Sequence, residues 1–292
     1  MKAIGLTTFL LITFCAFSYP AHGAESVAMI ADLEGQGTIL NGGNSAPAGI
    51  LVEVEAGSEL GLQEGSSLTL FYFASSEEYT YKGPVKLLVD DAQPTLLSGE
   101  EGNRRNLNLT KLADIASEDE DNIGLGVLKL RNFEKPKLQL LTPVDTSVIA
   151  DQIRFTWSEV DGAKTYKFIL SNELGKKIVD QSVNKTWIEL PSDSKLTSGE
   201  EYTWEIIAKV SEQSEYRAHA YFNIAEDYIA SQVESSRPAK TASFSEQVVY
   251  ARLLEKLGLK QDAQEIWREL VTLKPNSKLL QQRTAQNQAA ND

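Results

Sequence analysis

Imidazoles, thiols and paired carboxylates make and break most bonds at neutral pH, and this chain holds few of them in usable patterns. It has two histidines, His22 and His219, and one cysteine, Cys15. A zinc site needs several His, Cys or carboxylate ligands at close spacing, which a solitary His219 does not supply. A Ser–His–Asp relay would have to run through His219, and no Gly-x-Ser-x-Gly elbow surrounds any serine. Glu77–Glu78 and Asp90–Asp91 are adjacent carboxylates. Neighbours on a strand point to opposite faces, so neither pair forms an acid/base dyad. Residues 119–124, Asp-Glu-Asp-Asn-Ile-Gly, open like a calcium loop. Ile123 stands where a ligand oxygen is needed and Leu130 where the bidentate Glu belongs, so the run reads as solvated acidic linker. No phosphate-binding or dinucleotide fingerprint occurs. The remaining candidates are aromatic: Phe71, Tyr72, Phe73, Tyr79 and Tyr81. Strand alternation puts the phenylalanines in a core and Tyr72 on the opposite face. It leaves the tyrosines on a half-exposed strand surface, with a partner-facing or glycan-stacking patch as the alternative. No catalytic, cofactor-binding or metal-ligating residue is assigned, no cofactor is expected, and the chain is not expected to be an enzyme.

The chain opens with Lys2, an apolar stretch from Ile4 to Phe17, and then Pro20-Ala21-His22-Gly23. This is the pattern of a cleaved signal peptide, residues 1–23. The apolar stretch is shorter than the roughly 20 residues a spanning helix needs. Cleavage would remove Cys15 and His22, leaving no thiol and one imidazole. The charge balance is 28 basic residues against 41 acidic, a net −13, and loss of Lys2 makes the excess one unit larger. Such a surface repels nucleic acid and anionic membrane. No integral membrane span is expected after signal cleavage.

The hydrophobic period changes from 2 to about 3.6 near residue 226. Short β-prone runs at 27–30, 37–40, 50–54, 67–73, 78–81 and 84–89 alternate with glycines, which predicts a sandwich or barrel-like sheet. Residues 98–137 read as an acidic linker with one connecting strand at 127–131. A second β region, 138–225, has strands at 153–157, 166–170, 177–180, 185–190, 202–208 and 216–222, enough for one two-sheet sandwich. From 226 the reading is helical. Ser243 or Ser245 caps a helix with Phe244, Val248, Ala251, Leu254 and Leu257 on one face. Gly258 ends it, Asp262 lies in the first turn of the next helix, and Pro275 stops that one. The fold class is mainly β with a small C-terminal α unit.

Three segments resemble known families. Residues 24–97, through Ile30-Ala31-Asp32-Leu33-Glu34-Gly35, Val54-Glu55-Ala56-Gly57-Ser58, Leu68-Thr69-Leu70-Phe71-Tyr72 and Glu78-Tyr79-Thr80-Tyr81-Lys82-Gly83-Pro84, resemble the FecR-like β module of bacterial envelope proteins. The membrane helix and anti-sigma segment that precede this module in iron-transport members have no counterpart here, so only the β fold carries over. Residues 138–225 resemble a fibronectin type III domain, with Trp157 and Tyr166 as core aromatics and Leu196-Thr197-Ser198-Gly199-Glu200-Glu201-Tyr202 as the tyrosine corner. Within 226–292, residues 244–277 resemble one tetratricopeptide repeat through Gly258, Ala263, Trp267 and Pro275.

A single helical hairpin cannot bury its apolar face alone. It is expected to dock on the second β domain, on another copy of the chain, or on a partner, with docking inside the chain preferred. Together these readings point to a non-catalytic binding or scaffolding protein of a Gram-negative periplasm, or a secreted one. Its expected partner is an envelope protein or peptidoglycan, with homo-oligomers through the C-terminal helices as a further option. The alternatives are a ligand sensor for an envelope signalling partner, and an envelope hydrolase or a regulator of one.

Overall fold

A computed structural model describes residues 26–107, 137–150, 153–190, 194, 196–239 and 241–289. The signal peptide, the acidic run 119–124 and the strand expected at 127–131 lie outside the described residues.

The first β domain is a sandwich of two antiparallel five-stranded sheets. One runs β10 (Asn103–Asn106), β7 (Glu77–Lys82), β6 (Ser67–Tyr72), β1 (Ser26–Glu34), β4 (Glu53–Glu55). The other runs β3 (Asn44–Pro47), β2 (Gly37–Asn41), β5 (Glu59–Leu62), β8 (Val85–Val89), β9 (Pro94–Ser98). Leu68, Leu70, Tyr72, Tyr79 and Tyr81 from the first sheet meet Leu60, Leu62, Leu87 and Val89 from the second. Asn41-Gly42-Gly43-Asn44 turns β2 into β3, with φ of 54° and 86° at the two glycines, as a tight hairpin requires.

Two expectations are corrected in this domain. The linker does not begin at 98: Asn103–Asn106 forms β10 and pairs in register with β7 from Thr80 to Glu77. The tyrosines do not face solvent either: Tyr72, Tyr79 and Tyr81 are buried between the sheets. The phenylalanine side of that sheet is covered as well, so alternation along β6 does not separate an inside from an outside.

The second β domain is a sandwich of unequal sheets. The smaller runs β11 (Leu140–Thr142), β13 (Arg154–Trp157), β16 (Trp187–Glu189). The larger runs β12 (Thr146–Val148), β18 (Glu215–Ile224), β17 (Glu201–Lys209), β14 (Thr165–Asn172), β15 (Lys177–Val183), with β12 parallel to β18 and the rest antiparallel. Its core centres on Phe155, with ring centroids of Phe168, Trp204 and Phe222 at 5.0, 5.1 and 5.4 Å. The buried Trp204 indole donates to the Pro143 carbonyl at 2.7 Å. At the tyrosine corner the Tyr202 hydroxyl accepts from the Thr197 amide at 2.8 Å and donates to Glu200 at 2.9 Å. Tyr202→Phe is expected to cost about 1 kcal/mol, since the Thr197 amide loses its acceptor and Glu200 its donor. Chemical denaturation with an unchanged m-value checks it.

Four helices follow: α1 (Asp227–Ser236), α2 (Phe244–Lys256), α3 (Lys260–Leu273) and α4 (Lys278–Ala289). Ser243 caps α2 in a full capping box with Glu246. Gly258, at φ 75°, turns the chain from α2 to α3, and Ala263 and Trp267 are fully buried on α3.

The helical apolar face docks within the chain, but chiefly on the first β domain rather than the second. Met29 and Ala31 of β1 and Phe71 of β6 share one core with Val248, Ala251 and Leu254 of α2 and with Trp267 and Leu270 of α3. The physical reason is visible in β1 and β6. Ala28–Ala31 and Leu68–Tyr72 are unbroken buried runs, because the sandwich covers one face of the sheet and the helices cover the other.

Candidate functional site

The residues that sequence alone marks as chemically able are kept apart by the fold. His219 lies on β18 with its ring 5.8 Å from Tyr221, exposed, and opposite Glu205 of β17. Glu77 and Glu78 point to opposite faces of β7, and each binds an arginine of β10. Glu77 bonds Arg104, and Glu78 takes Arg105 at 2.6 Å. The hydrogen bond from Arg104 is the main reason the Glu77 carboxyl is held below its ordinary value. Burial pushes the Tyr79 hydroxyl up to about 12, helped by its bond to Glu77. Asp90 accepts from the Thr95 hydroxyl. No group of three or more His, Cys, Asp or Glu that could hold a metal ion occurs among the described residues.

Two surfaces stand out instead. The first is a groove of about 460 Å³ on the side of the second domain where both sheets end in edge strands, β15 and β16. Val183 and Ile188 give it an apolar floor, and Gln181, Ser182, Asn184 and Thr165 give it hydroxyls and amides. Trp187, the one tryptophan that is not fully buried, forms a wall. The Lys185 ammonium lies 4.0 Å and the Arg154 guanidinium 4.4 Å from its ring centroid. The sequence marks 185–190 only as a strand. Nothing in it foretells that this strand would end a sheet beside the free edge of β15.

The second surface is the three-way junction that sets how the parts sit. The helical unit grips the first domain at three ionic points. Arg105 bridges Glu78 and Glu246, the latter at 3.2 Å, Arg252 reaches Glu53 at 2.8 Å, and Lys274 reaches Asp32 at 2.9 Å and Glu34 at 3.2 Å. Glu78 is 3% exposed at its side chain, and its second oxygen has no partner among the described residues. The α2–α3 turn holds the second domain. The Gly258 carbonyl accepts from the Ser147 amide and the Thr146 hydroxyl, both at 3.0 Å, and the Lys260 amide donates to Thr146 at 3.1 Å. At Gly258 a Cβ would meet the Ser147 hydroxyl at 3.3 Å with φ still positive. Gly258→Ala is therefore expected to cost at least ~1 kcal/mol, read as a lower melting temperature.

The junction is also sensitive to acid. Burial works against the Glu246 charge, but bonds from the Ser243 amide and hydroxyl and the nearby Arg105 outweigh it, so its carboxyl titrates below the ordinary 4.5. A carboxyl held low adds stability above the unfolded value and loses it as pH falls through the folded one. Melting temperature should fall on acidification below about pH 4.5. Glu246→Gln should flatten part of that fall in circular-dichroism melts between neutral pH and pH 3.

No family model and no curated protein matches the chain. Among solved structures it is similar to the fn3 domain of the human collagen alpha-1(XX) chain, at 13% identity over 39% of this chain and 94% of that one, with a TM-score of 0.26. It is also similar to a two-domain fibronectin type III segment of chicken tenascin, at 13% identity over 70% of this chain and 87% of that one, with a TM-score of 0.23. The strand order of the second sandwich and the Tyr202 corner define it as fibronectin type III-like on their own. No helix among the described residues is long and apolar enough to cross a membrane.

Proposed function

We propose that this protein is a non-catalytic binding and scaffolding module of a bacterial envelope, exported to the periplasm or secreted, and that it contacts an envelope protein or peptidoglycan. The observation that supports this best is the junction. A three-point ionic grip and a shared core fix two sandwiches and a helical unit in one framework, while the groove beside Trp187 is left open at two free strand edges. A rigid frame with a polar, aromatic-walled groove suits recognition by shape and surface contact. The FecR-like reading of 24–97 and the tetratricopeptide-like reading of 244–277 rest on their sequence motifs, and the envelope compartment rests on residues 1–23 and the FecR-like motifs.

The test is capture from envelope extracts by the full chain and by a Gln181→Arg, Lys185→Glu double variant. Both positions are exposed and lie outside the cores, so melting temperature should not change. Loss of the captured partner with an unchanged melt supports the groove as the contact surface. Equal capture by both proteins would remove it.

A further inference from the structure

β15 is the last strand of the larger sheet, and among the described residues no strand pairs with its outer edge. Val179, Gln181 and Val183 stand opposite Leu170, Phe168 and Tyr166, which are buried between the sheets. They point to the core side, but the larger sheet outruns the smaller one here. Gln181 is therefore exposed, and Val179 and Val183 are only half-buried. Natural edges are commonly closed to other chains by proline, by an inward-pointing charge or by a covering segment. β15 has no proline, and its groove side carries no charge. Its pairing with β14 is regular from Val179 to Val183, the one bulge falling before that stretch. The outward N–H and C=O groups of these residues form a template for a further strand.

The surroundings of this edge are basic. Residues 164–187 hold Lys164, Lys167, Lys176, Lys177 and Lys185 against Glu173 and Asp180, in a chain of net charge −13. Asp180 is already held by Lys167 at 3.1 Å and Lys177 at 2.8 Å. Lys185 makes no ion pair among the described residues, and the carboxylate beside Arg154, that of Glu189, is 3.8 Å away. Lys185 comes two residues before Trp187, and Arg154 stands opposite Glu189, two residues after it, so the cations flank the indole from both sides. That leaves no open ring face on which a sugar could stack. A second copy of the chain is disfavoured as well, since two such edges would set lysine against lysine.

We propose that β15 is a strand-addition site whose occupant is an acidic, extended segment of a partner protein. The segment bonds along Val179–Val183, sets alternate side chains into the groove, and brings carboxylates to Lys185 and Arg154. Main-chain bonds supply affinity, and the cations select acidic over basic segments. This rests on the groove being a contact surface and names what that surface takes.

The experiment selects short random peptides, displayed on phage, on the full chain and makes the enriched sequences synthetically. Acidic, β-prone sequences without proline are expected. Bound to the full chain, they should slow amide exchange across Val179–Val183 and lose affinity several-fold with Lys185→Glu. Each peptide is also made with every second backbone nitrogen methylated, in both alternations. One alternation removes the donors that face β15 and should abolish binding, and the other should keep it. A clamp that grips side chains alone treats both alike, and that result would overturn the proposal. So would enrichment of neutral, basic or proline-bearing sequences, no enrichment at all, or displacement of the peptides by soluble peptidoglycan fragments. If the Gln181→Arg, Lys185→Glu variant loses its captured partner while no acidic peptide is selected, the contact surface stands and strand addition falls. Equal capture by both proteins removes the surface itself.

Discussion

A chain stopped at Ala225 is expected to lose the order of its first β domain, not only its helices. Truncation uncovers the outer face of β1 and β6, where Met29 and Phe71 are at most 1% exposed, with Leu33 and Phe73 packed beside them. Uncovering Met29 and Phe71 alone forfeits about 3–6 kcal/mol of apolar burial. That is comparable to the whole stability of a small domain, commonly about 5–15 kcal/mol. Glu78 also loses a neighbour, because Arg105 no longer has Glu246 and Ser243 to hold it over the buried carboxylate. Expected signs are dye binding to exposed apolar surface, aggregation, and lost amide protection in β1 and β6. The second sandwich has a separate core and should keep its near-ultraviolet signal from Trp157 and Trp204. A truncated chain with native spectra and unchanged protection would show that the sheet does not need its cover. A binding comparison between the full chain and this truncation therefore cannot isolate the helices, which is why substitutions at 181 and 185 are the better probe of the groove.

Trp267→Ala is expected to be the most damaging single substitution at the junction, at about 3–5 kcal/mol. The indole is fully buried on α3, and its N–H donates to Glu255 at 2.9 Å. Glu255 in turn pairs with Arg252, which reaches across to Glu53 of the first domain. Removing the ring opens a cavity in the shared core and takes away the donor that helps to place this chain of charges. Guanidinium denaturation measures the cost, and a loss below about 1 kcal/mol would mean the cavity had collapsed at little expense.

Much of this fold is legible in the residues. Ser243, Gly258 and Pro275 mark helix ends by local backbone chemistry, which needs no tertiary context. The second sandwich declares itself through Tyr202 and through alternating aromatics such as Phe155 and Trp157, because β13 and β17 each bury one face. The first domain is harder for the opposite reason. In β1 and β6 both faces are buried, so Tyr72 and Phe71 face different cores and periodicity does not say which is inside. Edge strands such as β3, whose residues are all exposed, and β10, with Asn103-Arg104-Arg105-Asn106, have no hydrophobic pattern to find. The groove and the ionic grip depend on pairings as distant as Lys274 with Asp32, which no local signal encodes.

Hydrogen exchange read by mass spectrometry on Trp267→Ala beside the unaltered chain tests most directly whether the first sheet and the helices share one core. Protection should fall together in α2, α3, β1 and β6, with the second sandwich unaffected. Full protection of β1 and β6 alongside loosened helices would contradict a common core and leave the helical unit as an appendage.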